Sequence, residues 1–204
     1  IMLTQRKLAI ILSRLNENPN PKYKLEQYSI TPSIASSVLF LAKKDIKNKI
    51  VYDLGCGSGR FAIGAALLGA KKVFGVDIDK RVLEIARQNA KLVEEKTGVR
   101  IANKINWVCY RVENLYARAD TVIQFPPISG VRKDWDIIFL RKALQIAKNV
   151  YSIHKLSKAT KEKIGRVCKE FKARIKVEKR FKYKLPWKER RKIGYELLLV
   201  AIKR

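Results

Sequence analysis

An apolar run, Ile50-Val51-Tyr52-Asp53-Leu54, gives way to Gly55-Cys56-Gly57-Ser58-Gly59 and then to a helix-forming stretch through Leu68. Few folds accommodate such a step. Three glycines in five positions allow a turn too tight for side chains, and they bare backbone N–H groups at a helix start, where a ligand can approach closely. The next apolar run, Lys72-Val73-Phe74-Gly75-Val76-Asp77, ends in an acid 22 residues after Gly55. At that distance a neighbouring parallel strand presents its carboxylate to the two hydroxyls of a ribose. The spacing is Gly-x-Gly-x-Gly, with Arg60 where the dinucleotide fingerprint needs its third glycine. Asp53, two residues ahead of the loop, suits a ligand carrying a cationic group. A nucleoside-bearing cofactor is expected, held by Asp53, Gly55, Gly57, Gly59 and Asp77.

The rest of the chain repeats the same alternation. Asp79 caps a helix carrying Val82, Leu83, Ala86, Ala90 and Val93, and strands are expected over Ile105–Val112 and Thr121–Phe125. A helix over Trp135–Ala147, a strand over Val150–Ile153 and a helix over Lys158–Phe171 follow. Strands separated by helices require crossovers and therefore a parallel sheet. The ending breaks the rule: Ile175–Tyr183 and Tyr195–Ile202 are joined by a basic loop around Pro186 with no helix between, so they should pair antiparallel. Before the first strand the pattern is only helical. Leu8, Ile11, Leu12 and Leu15 form one stripe behind Thr4 as N-cap, and Thr31-Pro32 starts a second helix through Leu41. The fold class is α/β, a doubly wound, Rossmann-like sheet of seven strands with an antiparallel C-terminal hairpin. It is read as a single domain over 1–204, with 1–45 a helical extension and 46–204 the core.

Charge narrows the partners. The 204 residues carry 45 Lys+Arg against 18 Asp+Glu, net +27. From Arg141 to Arg204 there are 22 Lys+Arg and 5 Glu, so this segment supplies +17. Such self-repulsion is relieved by a polyanion, and a phosphate backbone is the usual one. An idle basic surface is the alternative, and a membrane partner is not expected. Cys56, Cys109 and Cys168 are odd in number, with no Cys-x-x-Cys and a single His154, which argues against disulfides and against a zinc site; no metal is expected. Without a signal-peptide pattern at the N-terminus, a reducing cytoplasm is the expected location.

Asp-Leu-Gly-Cys-Gly-Ser-Gly followed by Gly75-Val76-Asp77-Ile78-Asp79 resembles the first two motifs of S-adenosylmethionine-dependent methyltransferases. Leu25-Glu26-Gln27-Tyr28, Gly64-x-x-x-Leu68-Gly69-Ala70, Phe139-Leu140, Val150-Tyr151-Ser152-Ile153-His154-Lys155 and Tyr183-x-Leu185-Pro186 resemble one branch, the small N6-adenine rRNA methyltransferases. The resemblance runs in order from about Leu25 to the C-terminus. It implies S-adenosyl-L-methionine as cofactor, lying over the loop with its ribose on Asp77, beside Ile78, and closed in by Gln27 and Tyr28. It implies RNA, ribosomal RNA above all, as substrate, and a small zinc-containing activator subunit as partner. Thr31 is open between a cofactor contact and a helix cap, and His154 between a structural and a catalytic role. Trp135 and Trp187, each in a basic loop, are open between base stacking and burial.

The acceptor motif departs from that branch. An exocyclic adenine amine is a poor nucleophile, because its lone pair is delocalised into the ring. The branch answers with Asn-Pro-Pro-aromatic at the end of the fourth strand: the amide accepts the amine hydrogens and the ring stacks on the base. Here the motif reads Phe125-Pro126-Pro127-Ile128. Phe125 offers no side-chain acceptor, and strand alternation should point Gln124 to the opposite face. Removing a positioned polar group costs roughly 10²–10³ in rate. Arg111 stands where the branch has an Asp for the cofactor's adenine, with Glu113 two residues on as a substitute if the strand continues. The expectation is a methyltransferase with altered acceptor chemistry; a catalytically inactive RNA-binding relative is the alternative.

Overall fold

A computed structural model describes residues 3–128, 131–184 and 194–204. Among these the helices are α1 (Gln5–Ser13), α2 (Pro32–Leu41), α3 (Lys43–Ile46), α4 (Arg60–Leu67), α5 (Lys80–Thr97), α6 (Trp135–Ile146) and α7 (Lys158–Glu170). The strands are β1 (Ile50–Leu54), β2 (Lys72–Asp77), β3 (Ile105–Cys109), β4 (Ala119–Gln124), β5 (Ala147–Lys155), β6 (Arg174–Lys184) and β7 (Gly194–Lys203). They form one sheet in the order β3-β2-β1-β4-β5-β7-β6. The first five strands run parallel to one another; β7 runs antiparallel to β5, and β6 antiparallel to β7. Sequence order thus reverses between β1 and β4, the place where an open α/β sheet leaves a crevice at its strand ends.

Alternation along the central strands fills both faces. Val51, Ile123, Ile153 and Leu199 join α1, α2 and α4 in one buried cluster, while Leu54, Val122, Val150 and Val200 join α6 and α7 in the other. Leu8 and Leu12 of α1 are fully buried in the first cluster, so the N-terminal helix packs with the sheet that follows it. Thr31 resolves as a helix cap: its Oγ1 accepts from the Ile34 N–H at 3.3 Å, with Pro32 in the first turn. The loop around Pro186 and Trp187 lies outside the described residues. No described helix is long and apolar enough to cross a membrane.

Boundaries differ from the sequence reading where partners decide them. β3 ends at Cys109, because β2, its ladder partner, ends at Asp77; the Tyr110 N–H still reaches the Asp77 carbonyl, and Val112–Asn114 then coils into a 3₁₀ turn. Glu113 is therefore on a turn, not on an extended strand. β4 stops at Gln124, and β5 begins directly at Ala147, where Ala119 pairs with it.

Candidate active site

The turn after β1 and the end of β2 are locked to each other. The Gly57 N–H donates to Asp77 Oδ2 at 2.9 Å, and the Asp79 N–H donates to Asp77 Oδ1 at 3.0 Å. Gly55, Gly57 and Gly59 all have positive φ, from 51° to 89°. A Cβ on Gly57 would meet nothing within 4 Å, so the space above this turn is open. Gly59 serves packing instead. A Cβ there would come within 2.6 Å of the Trp107 ring, so this glycine lets α4 pack and does not line the cleft.

A cleft of about 830 Å³, open to solvent, runs from this turn to the end of β4. It brings together Gln27, Tyr28, Gly55, Gly57, Asp77, Ile78, Glu113, Phe125 and Pro127 from the sequence-predicted set. Pro126 and Ile128 do not line it; Ile128 is 8% exposed and packs in the core cluster with Ile123 and Ile153. Trp135 and Phe139 of α6 also line the cleft and meet at 6.2 Å between centroids. Arg132 sits over Trp135, 3.4 Å from the ring centroid, and its backbone N–H donates to Glu26 Oε1 at 3.0 Å. Glu26 adopts left-handed backbone (φ 49°), a conformation its residue type gave no reason to expect. Gln27 braces the wall: its Oε1 accepts from Asn18 Nδ2 and the Lys22 N–H, and its Nε2 donates to Asp79.

Asp53 lies below the loop, on the wall of a smaller adjoining cavity that shares Tyr28, Gly55, Gly57 and Phe125 with the cleft. Its Oδ2 accepts from the Ala62 N–H at 2.9 Å, and Oδ1 has no partner among the described residues. Burial drives its pKa up to about 8, against the lowering effect of the Ala62 N–H and with a further push from Asp77. Burial also raises Asp77, more than its backbone N–H donors lower it. A buried carboxyl oxygen without a donor, a carboxylate at the end of β2 and an open glycine turn fit a ligand with a cationic end and a ribose. Arg111 and Glu113 pair with each other, Nη2 to Oε1 at 2.6 Å, so the carboxylate proposed to replace the missing Asp is held by its neighbour.

At the acceptor end Phe125 is partly buried and meets Tyr183 edge-on, 5.7 Å between centroids. The Tyr183 hydroxyl donates to the Ser29 carbonyl at 2.9 Å. Gln124 points to the opposite face, as alternation requires, and is fully buried with its Nε2 2.9 Å from Ser152 Oγ. His154 is fully buried on that same face and does not line the cleft.

This fold and cleft define an S-adenosylmethionine-dependent methyltransferase. The ribosomal protein L11 methyltransferase family (PrmA) matches residues 32–123, the stretch that carries the glycine loop and Asp77. The zebrafish (Danio rerio) rRNA N(6)-adenosine-methyltransferase METTL5 is 36% identical over 186 residues, 89% of this chain and 87% of that protein. Protein MJ0284 of Methanocaldococcus jannaschii is 38% identical over 165 residues, 75% of this chain and 72% of its own. The crystal structure of PH1948 from Pyrococcus horikoshii, a candidate RNA methyltransferase, superposes with a TM-score of 0.87 at 33% identity, covering 98% of both chains. The chain belongs to the METTL5 family.

Proposed function

We propose that this protein transfers a methyl group from S-adenosylmethionine to RNA, ribosomal RNA in the first place, through an acceptor site rebuilt around Phe125. The observation that carries the reading is the continuous cleft from Asp77 and Gly57 to Phe125 and Trp135. When bound, the cofactor supplies the activated methyl group. Asp77 is assigned to its ribose, Ile78 to the adenine side, Asp53 and the glycine turn to its cationic end, with Gln27 and Tyr28 closing the wall. The transfer then needs mainly alignment of the acceptor atom with the methyl carbon. Trp135 and Phe139 offer the faces on which an extruded base would stack, in place of the position that Ile128 fills in sequence.

The chemistry at the acceptor differs from that of an amide-containing site. With Phe125 at the strand end and Gln124 engaged on the other face, no side chain of this motif accepts an amine hydrogen. The site therefore favours an acceptor that does not need such a hydrogen bond. The inactive, RNA-binding alternative draws on the same feature and on the Arg111–Glu113 pair. Calorimetry with S-adenosylmethionine, followed by transfer of a tritiated methyl group to RNA, separates the two: binding with transfer supports the enzyme, and binding without transfer supports the alternative. Exposed Tyr110 at the carboxyl end of β3 offers apolar surface beside the cleft to a small zinc-containing activator, which the resemblance implies and which belongs to the same proposal. So does a reducing cytoplasm, in keeping with three free cysteines.

A further inference from the structure

β6 is an edge strand, and its composition is one-sided. Of its eleven residues, six are cations (Arg174, Lys176, Lys179, Arg180, Lys182, Lys184) and one is an acid, Glu178. All seven are exposed. Glu178 is paired with Lys161 of α7 at 2.7 Å, so its charge is answered from the neighbouring helix. Lys179 points to the other face and donates to Ser37 Oγ. Arg180, Lys182 and Lys184 stand opposite Leu198, Glu196 and Gly194 of β7, on the α7 face, and form no ion pair with any described residue. Charge on an edge strand discourages pairing between molecules. Repulsion of that kind needs only like charge, and it does not account for where this row ends.

The row ends at the cleft. β6 runs antiparallel to β7, which runs antiparallel to β5, so the carboxyl end of β6 lies at the carboxyl ends of the parallel strands, where the cleft opens. Tyr183, between Lys182 and Lys184, projects to the other face and makes the edge-on contact with Phe125. Alternate residues on a strand are ~7 Å apart, which is the interval between successive phosphates on an extended nucleic-acid strand. A duplex, with its phosphates on two helical strands, would not follow a straight row in this way. Single-stranded loops, bulges and ends are also where an RNA base is reached at least cost, because it need not first be unpaired.

We infer that β6 is a rail for single-stranded RNA: Arg180, Lys182 and Lys184 take successive phosphates, and Tyr183 between them fixes the rail to the acceptor end of the cleft at Phe125. The inference rests on the RNA reading above, and the experiment keeps the two apart. Fluorescence anisotropy of a labelled single-stranded RNA is followed against salt with the full chain, with the triple variant Arg180→Gln/Lys182→Gln/Lys184→Gln, and with a control triple variant, Lys91→Gln/Lys96→Gln/Arg100→Gln. The control positions are exposed in and just after α5, toward the opposite edge of the sheet. Each phosphate contact to a single strand contributes about 0.7 to the log–log salt slope, so the β6 variant should lose about 2 from the slope and the control almost nothing. Equal losses in both variants would overturn the rail and leave RNA binding standing. No binding of RNA by the parent would overturn both. Tighter binding of the same RNA when annealed to its complement, with the same slope loss, would overturn the single-strand assignment. Should the β6 variant fail to fold, ultraviolet crosslinking of a thiouridine-substituted RNA to the parent decides the question: crosslinks should map to residues 174–184, and their absence there contradicts the rail.

Discussion

His154, fully buried, and Asp136, partly buried, pair Nδ1 to Oδ2 at 2.9 Å behind the Phe125 end of the cleft. The carboxylate orients the ring at Nδ1, Nε2 lies 2.8 Å from the Ser152 hydroxyl, and Ser152 accepts from Gln124 Nε2. This chain ties the start of α6, which carries Trp135, to the end of β4, which carries Phe125. Two walls of the cleft are therefore held by one line of hydrogen bonds.

Replacing His154 with Ala should leave buried Ser152 and its neighbours short of a partner. The expected loss is on the order of 1–3 kcal/mol for an unsatisfied buried group, plus a cavity contribution. Urea unfolding checks the stability. If the chain positions the acceptor walls, His154→Gln at saturating cofactor should lower the transfer rate while leaving cofactor affinity unchanged.

Asp77→Ala removes the acceptor proposed for the ribose and also releases the Gly57 N–H that holds the glycine turn. Cofactor binding should weaken by roughly 1.5–3 kcal/mol, the range for hydrogen bonds to a charged group. Gly57→Val should weaken it as well, both by filling the open space and by straining a backbone with φ of 51°. Calorimetry that finds wild-type affinity in either variant would move the cofactor away from this loop.

Asp53 gives a pH dependence with a defined sign. Its carboxyl keeps its proton in the folded chain up to about pH 8, whereas the unfolded chain loses it in the ordinary carboxylate range. Between those limits the folded state binds more protons, so this contribution to stability is full at acid pH and is lost as pH rises toward about 8. Asp53→Asn has no such dependence. The melting temperature of the variant relative to the parent should rise from pH 4 to pH 8 and level off above that. A constant difference across this interval would mean that Asp53 ionises normally.

Much of this was legible in the chain because it depended on local spacing. The glycine turn, Asp77, the parallel crossovers and the antiparallel ending follow from period and turn residues. Glu113 was misplaced because the end of β3 is set by where β2 stops, which no local pattern encodes. Gly59 looks like a ligand glycine in sequence, yet its need for no side chain comes from Trp107, 48 residues away. Trp135 and Phe139 reach the cleft from α6 on the far face, so their role needed the sheet order. The rail needed the same information: the cations of β6 are plain in sequence, but their end point at Phe125 is not.

The most direct test is transfer of tritiated methyl groups from S-adenosylmethionine to ribosomal RNA by the parent, by Asp77→Ala and by Phe125→Asn. Ile128 packs in the core, so an aromatic ring in its place would cost about 1–3 kcal/mol of stability rather than supply a stacking face. The parent should place label in RNA, sensitive to ribonuclease, and Asp77→Ala should lose most of it at limiting cofactor. Phe125→Asn should shift the label toward adenosine by about 10²-fold relative to the parent. An RNA fraction without label from the parent, while calorimetry shows the cofactor bound, would contradict the account.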